Sequence, residues 1–426
     1  MTNSFIQNLK NKLLGKKIFI YGAGNYGRTL YNFLQEQKIC SIEGFIISKL
    51  TTERFVLTQP IINLKEYTSL NQDILNNSLI IIAVSNKYST EIINKLEEKS
   101  IYNFLILDSD VWDYIQKNTL FTKVKPNKNI AILLYHRVID SNYNFWKLNV
   151  SPSTFEKHMK YLKETYHILK LEDDWTTIVK PDEKYVIITF DDGYVDNYKF
   201  ALPILEKYKI PATIFVSTDY IDTNYMYWWD ELEKIFIIDK YRGSFEFEGK
   251  KYNLNDQNDA STTCIDIRNY LKNLSPIERE SKFEKLRHLL NVTPIYTEEL
   301  RSLSSSELKI LSQSEFCSIG VHTKSHISMG KNAPTELMQH EIVESKKILE
   351  SYIQKEITTF AYPYGGIEDR CPLAEKIIIE NGFKKIVTVE NKNIDKDSSL
   401  YNLPRHMIFN DDNIECKINK IWGIYG

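Results

Sequence analysis

The chain has 426 residues, enough for roughly two or three domains, and its 42% apolar and 26% charged content is ordinary for a globular protein. With 54 basic against 56 acidic side chains, the formal charge of −2 excludes a dedicated nucleic-acid or anionic-membrane binder, which needs a strong basic field. No apolar run approaches the roughly 18 residues of a membrane-spanning helix. The start, Met1 to Lys17, is polar and helical in pattern, with neither a long apolar segment nor a small-residue cleavage site, so no secretory signal is expected. The five cysteines (Cys40, Cys264, Cys317, Cys371 and Cys416) are scattered and form no C-x-x-C pair. That usage fits a reducing cytoplasm and argues against a disulfide framework or a thiolate zinc site.

In chain order, Ile18 to Tyr21 reads as an apolar strand and Arg28 to Gln37 as a helix. Between them runs the loop Gly22-Ala23-Gly24-Asn25-Tyr26-Gly27. Ile42 to Ile47, Leu79 to Val84 and Tyr102 to Leu107 continue as strands, and alternation with helices implies a parallel sheet. Lys123 to Lys128 reads as a polar linker with a turn at Pro126. Beyond it, strands are expected at Asn129 to Tyr135, Tyr185 to Phe190, Ala212 to Ser217, Ser318 to Val321, Thr358 to Tyr362 and Lys385 to Val389. Helices fall between them, the first capped by Ser153. So many β/α units suggest a barrel. About 222–314 breaks the alternation with a hairpin turning at Gly249 and two or three helices, an insertion able to wall a site. The domains expected are thus 1–122, Rossmann-like, and 129–426, a distorted β/α barrel with a mainly helical insertion.

Three strand ends carry chemistry. Asp191-Asp192-Gly193 offers two diverging carboxylates, one for a metal and one for the water that attacks, with Gly193 permitting a sharp turn. His322-Thr323-Lys324-Ser325-His326 spaces two imidazoles four apart, and two His with one carboxylate suit a divalent metal such as zinc. Tyr362-Pro363-Tyr364-Gly365 can aim backbone N–H groups into a pocket, as an oxyanion hole needs. Each motif alone reads equally as a polar turn or a pair of surface imidazoles. In this order, at the strand ends of one barrel face, they reinforce one another.

From about Asn129 to Ile421 the chain resembles the polysaccharide deacetylase family, the NodB-homology domain of carbohydrate esterase family four. The resemblance implies a distorted β/α barrel that removes acyl groups from carbohydrates. It also implies Asp191 as general base, a metal triad of Asp192, His322 and His326, Thr323 in support, and a Tyr364 N–H on the oxyanion. Zinc is the implied metal, with cobalt, nickel or manganese as substitutes. Two departures stand out. The family often places an Arg two residues before the motif Pro to orient the base, and here that position is Ala361. The family's late Leu-x-His supplies an acid, and here Leu403-Pro404-Arg405-His406 sets the His one place late. His406 is the expected acid, with Arg405 as the alternative functional residue. His136, ending the first barrel strand, is expected to touch substrate, to orient the base or to play a purely structural part. Trp229, in the insertion, is either an aromatic wall or core.

The N-terminal Gly22-x-Gly24-x-x-Gly27 lies between a strand and a helix, the context of a nucleotide phosphate site. The acidic residue that would hold a ribose is absent, since the second strand runs into Ser48-Lys49. The region resembles the small Rossmann-like domains attached to sugar-modifying enzymes. The alternative is a packing or oligomerisation domain. The function expected is therefore metal-dependent removal of an N-acetyl or N-formyl group from an amino sugar, nucleotide-linked, lipid-linked or free. It would serve bacterial capsule or lipopolysaccharide assembly in the cytoplasm or at the inner membrane surface. O-deacetylation, a noncatalytic sugar-binding protein and an NAD(P)-dependent oxidoreductase are the competing readings.

Overall fold

A computed structural model describes residues 2–23, 25–48, 55–56, 59–84, 86–108, 111–112, 114–115, 129–180, 183–390, 394 and 399–422. The chain forms two compact units, Met1–Lys125 and Pro126–Gly426. The polar linker read at Lys123 to Lys128 lies outside the described residues, as do Gly24 and Lys49.

In the first unit β1 (Lys17–Tyr21), β2 (Ile42–Ile47), β3 (Gln59–Asn63), β4 (Ser78–Ile82) and β5 (Phe104–Ile106) pair in parallel in the order β3-β2-β1-β4-β5. A two-residue strand, Phe55–Val56, runs antiparallel along β3. The run Ile18 to Tyr21 is continuously apolar because both of its faces are covered. Ile18 and Ile20 pack with Leu30 and Phe33 of the helix Asn25–Glu36. Phe19 and Tyr21 pack with Ile92 and Leu96 of the helix Asn86–Glu97. A methyl group on Gly27 would collide with the Gly22 carbonyl, so helix and loop approach as closely as glycine permits.

The second unit is a curled parallel sheet. Its main strands are β6 (Ile130–Tyr135), β7 (Tyr185–Phe190), β8 (Ala212–Val216), β9 (Cys317–Val321), β10 (Thr359–Ala361), β11 (Lys385–Val387) and β12 (His406–Met407), and the two-residue strand His167–Ile168 pairs in parallel with the start of β7. They run in the order β11-β10-β9-β8-β7-β6-β12. Alternation along each strand divides the core. Leu133, Tyr135, Ile188 and Phe190 lie with Phe155, Leu311, Ile342 and Leu349 beneath the outer helices. Ile130, Ile132, Ile187, Phe215 and Val387 form a separate cluster. Residues 400–407 reach both edges of the sheet. Leu403 exchanges backbone hydrogen bonds with Ile386 and Thr388 at β11, both 2.9 Å, and β12 then pairs with β6.

The first helix after β6 spans Pro152–Thr165 and is capped by Ser151, whose hydroxyl accepts the Thr154 N–H, rather than by Ser153. The insertion has its own core. The helices Trp228–Glu233, Gln257–Lys272 and Pro276–Leu290 and the hairpin Gly243–Phe247/Lys250–Leu254 bury Trp229, Phe236, Phe247, Ile267 and Phe283 together. Among the described residues no helix is long and apolar enough to cross a membrane.

Gly320, two residues before His322 on β9, is a point of close approach. A methyl there would strike the Phe215 ring. Gly320→Ala is expected to cost about 1–3 kcal/mol by overpacking. Urea denaturation of the two proteins checks this, and an unchanged midpoint would show that the ring moves aside freely.

Candidate active site

Apart from Trp229, in the inserted helix Trp228–Glu233, the residues singled out in the second unit lie at or near the ends of strands of the curled sheet. Asp191 and Asp192 follow β7, His322 follows β9, Tyr364 lies just beyond β10, and His136 follows β6. Asp192 (φ 71°), Thr323 (63°), His326 (56°) and Tyr364 (61°) all adopt the left-handed backbone that non-glycine residues avoid. Such conformations persist only where surrounding contacts impose them. Here they do. Tyr227 donates its hydroxyl to the Asp192 carbonyl at 2.6 Å, and Thr323 Oγ1 accepts the His326 N–H at 3.0 Å.

Asp192, His322 and His326 are buried, with one ligand atom from each lying within 4.8 Å of the others. One oxygen, Asp192 Oδ1, stands 3.4 Å from His322 Nε2 and 3.3 Å from His326 Nε2. These separations are long for charge-assisted hydrogen bonds. They equal the about 3.3 Å that separates two ligands on a tetrahedral ion with bonds of about 2.0–2.1 Å. His322 Nδ1 lies 2.9 Å from the Ala361 carbonyl, which orients Nε2 inward. His326 Nδ1 is buried without a partner. Its ring is instead held by packing, with Trp229 and Tyr364 each 4.6 Å away between ring centroids. Burial pushes His326 down to about 4, so the imidazole stays neutral, as a ligand must. Burial opposes the charge of Asp192, but contacts from His322 and His326 hold it well below the usual carboxylate range. The residues present therefore fit a divalent ion.

Asp191 is held differently. Arg405, fully buried, grips it with two parallel bonds, Nη1 to Oδ1 and Nη2 to Oδ2, both 2.6 Å. Burial alone would raise the Asp191 pKa, yet Arg405 and His322 leave it below its ordinary value. A charged, fixed carboxylate thus stands 4.0 Å from His322 Nε2, beside the triad but outside it.

Residues 178–382 match the polysaccharide deacetylase family. A poly-beta-1,6-N-acetyl-D-glucosamine N-deacetylase of Staphylococcus aureus is 27% identical over 321 residues, 71% of this chain and 87% of its own. YxkH of Bacillus subtilis is 26% identical over 286 residues, 66% of this chain and 71% of its own. The crystal structure of BC0361, a polysaccharide deacetylase from Bacillus cereus, is similar at a TM-score of 0.45 and 22% identity over 68% of each chain.

The polysaccharide deacetylase match contains Asp191, Asp192, His322, Thr323, His326 and Tyr364, and excludes His136, Arg405 and His406. Two of those three still reach the site. Arg405 does so through Asp191. His136 is half-buried; burial lowers its pKa, and the Asp192 and Asp191 charges act on it in the opposite sense. His406 does not join them, contrary to the expectation that it supplies the acid. Successive strand residues face opposite sides, so with Arg405 turned onto Asp191, His406 is turned away. Burial and Lys417 push it down to about 4, which leaves it no proton to give at neutral pH. Trp229 is buried in the core of the insertion, stacked 4.5 Å from Tyr227, and its ring also faces His326.

Sequence reasoning missed the residues that shape the metal loop. Glu341, in the helix Thr335–Ile353, accepts the N–H groups of Lys324 (2.9 Å) and Ser325 (2.8 Å). Arg279, from the insertion, donates to the Ser325 carbonyl at 2.5 Å. It missed also the buried pair of Arg137 and Asp196 at 3.0 Å, which lies under the Tyr194 ring. The only trace of these in the sequence is a charged residue on an otherwise apolar helix face, as Glu341 is.

Proposed function

We propose that the second unit is a metal-dependent hydrolase that removes an N-acetyl group from an amino sugar of a polysaccharide. The observation that carries this is a carboxylate locked by Arg405 beside the buried Asp192, His322 and His326. When bound, a divalent ion supplies a Lewis acid that polarises the acyl carbonyl and acidifies water. Two imidazoles and a carboxylate suit zinc, with cobalt, nickel or manganese as functional substitutes. Asp191 takes the proton from the attacking water. The Tyr364 N–H steadies the carbonyl oxygen as charge develops. His136, the imidazole beside the two carboxylates, contacts the substrate at the reacting end; Asp191 passes the proton taken from water to the leaving amine, and acetate departs. The name of the Staphylococcus aureus relative supports N-acetylglucosamine as the sugar.

For the first unit we infer a nucleotide or nucleotide-sugar site at the start of the helix Asn25–Glu36. The sheet order supports it, being that of doubly wound nucleotide-binding sheets. Gly22 and Gly27 shape the loop there. Ser48, bonded to Tyr21 at 3.2 Å, stands where a ribose-binding carboxylate would be, which disfavours NAD. The five unpaired cysteines support a reducing, cytoplasmic location.

The test is acetate release from N-acetylglucosamine oligomers. The chain is expected to release acetate, to stop when a chelator is added, and to resume with zinc. His136→Ala should slow release about 100-fold, whereas His406→Ala should leave it near wild type. Release that ignores the chelator would overturn the metal-dependent reading. Equal losses in both His variants would return His406 to the reaction.

A further inference from the structure

The inserted helix Gln257–Lys272 brings two cations to the rim of the site, and the deacetylation chemistry uses neither. The Tyr364 ring, 4.6 Å from that of His326, lies 4.4 Å from Lys272 Nζ and 5.2 Å from Arg268 Cζ. Lys272 is neutralised by Asp369 at 2.6 Å. Arg268 is not neutralised. Its guanidinium is also 5.2 Å from the Trp146 ring, so two aromatic side chains hold it. Among the described residues its polar contact is a 3.4 Å approach to Asn269 Oδ1, and no carboxylate lies within ion-pair distance. Other arginines near the site are fully engaged. Arg405 grips Asp191 at 2.6 Å, Arg137 grips Asp196 at 3.0 Å, Arg287 grips Glu231 at 2.8 Å, and Arg279 holds the Ser325 carbonyl at 2.5 Å. Arg268 is also half-exposed, as are Trp146 and Tyr364.

A guanidinium fixed between rings has lost most of its rotamer freedom before any ligand arrives. It presents a planar fork matched to carboxylate and phosphate oxygens. Placed beside the residues that would hold the acyl group, and lacking an internal counter-ion, it is suited to an oxyanion carried by the substrate. We propose that Arg268 is a specificity residue that binds an anionic substituent, a carboxylate or a phosphate, on the acylated amino sugar or on the unit joined to it. This rests on the deacetylase reading and narrows it to an acidic glycan or a sugar phosphate.

The test compares kcat/KM for three substrates: a neutral N-acetylglucosamine disaccharide, a glucuronate–N-acetylglucosamine disaccharide, and N-acetylglucosamine 1-phosphate. Wild type should favour at least one anionic substrate by about 10-fold or more, the worth of one charge-assisted contact. That preference should shrink with added salt. The arm that shows it names the oxyanion. Arg268→Gln should bring the ratio to near one, and Arg268→Lys should retain part of it. A ratio near one in wild type, or one that Arg268→Gln leaves intact, overturns the inference. Calorimetric titration of the same compounds into both proteins separates the two readings. Tighter binding of an anionic compound by wild type than by Arg268→Gln, with no substrate hydrolysed, would sink deacetylation and keep the anion site. Equal binding by both would sink the anion site alone.

Discussion

His322→Ala is expected to lose its bound metal and, with it, acetate release by on the order of 10⁴-fold, the scale set by removing the group that acidifies water. The expectation rests on how this ring is held. Its Nδ1 is committed to the Ala361 carbonyl, so only Nε2 faces Asp192, and no neighbouring side chain replaces it. Asp192 and Asp191, both buried, would then each lose one compensating group. Metal content by plasma mass spectrometry, read with acetate release and circular dichroism, separates loss of the ion from loss of the fold. A folded variant that keeps a full complement of metal and its activity would remove His322 from the site.

Arg405→Gln should lower kcat/KM by about 10³-fold while leaving the metal in place. The variant strips both hydrogen bonds from Asp191 and leaves a buried carboxylate without its cation, at a stability cost of about 3–5 kcal/mol. The pH profile gives the sharper signature. Asp191 acts as a carboxylate, and its pKa lies below the ordinary value because Arg405 and His322 outweigh burial. Removing Arg405 leaves burial less opposed, so the acid limb of the profile must move to higher pH. The same depressed pKa ties stability to pH. The contribution is present above the unfolded pKa and fades as pH falls through the folded one, so Arg405→Gln should also flatten acid denaturation. An unchanged acid limb would mean that Arg405 only packs.

What was legible in the sequence was local. Asp191-Asp192-Gly193 and His322 to His326 each bring chemistry and turn together within a few residues, and the strands before them are mostly apolar and almost wholly buried. What was not legible was the pairing of distant segments. Asp191 and Arg405 are 214 positions apart, and nothing near either names the other. The strand period explains the error at His406. A shift of one residue transfers a side chain to the opposite face of a sheet. A His one place late is therefore not a slightly displaced acid but a residue on the other side, and the side chain that does face the site is Arg405. The guanidinium missing at Ala361 is thus supplied from a different strand. Glu341 and Arg279 were equally invisible, because each acts on backbone N–H or carbonyl groups of a loop that packs against it only after folding.

Residues 400–407 link β11 to β6, and Arg405 lies within that link. Ribosomes release the chain from its N-terminus onward. A growing chain therefore displays Asp191, Asp192, His322 and His326 before it owns the cation that keeps Asp191 ionised and aimed. Until that segment seats itself between the two edges, the nascent protein holds Asp191 without its buried cation.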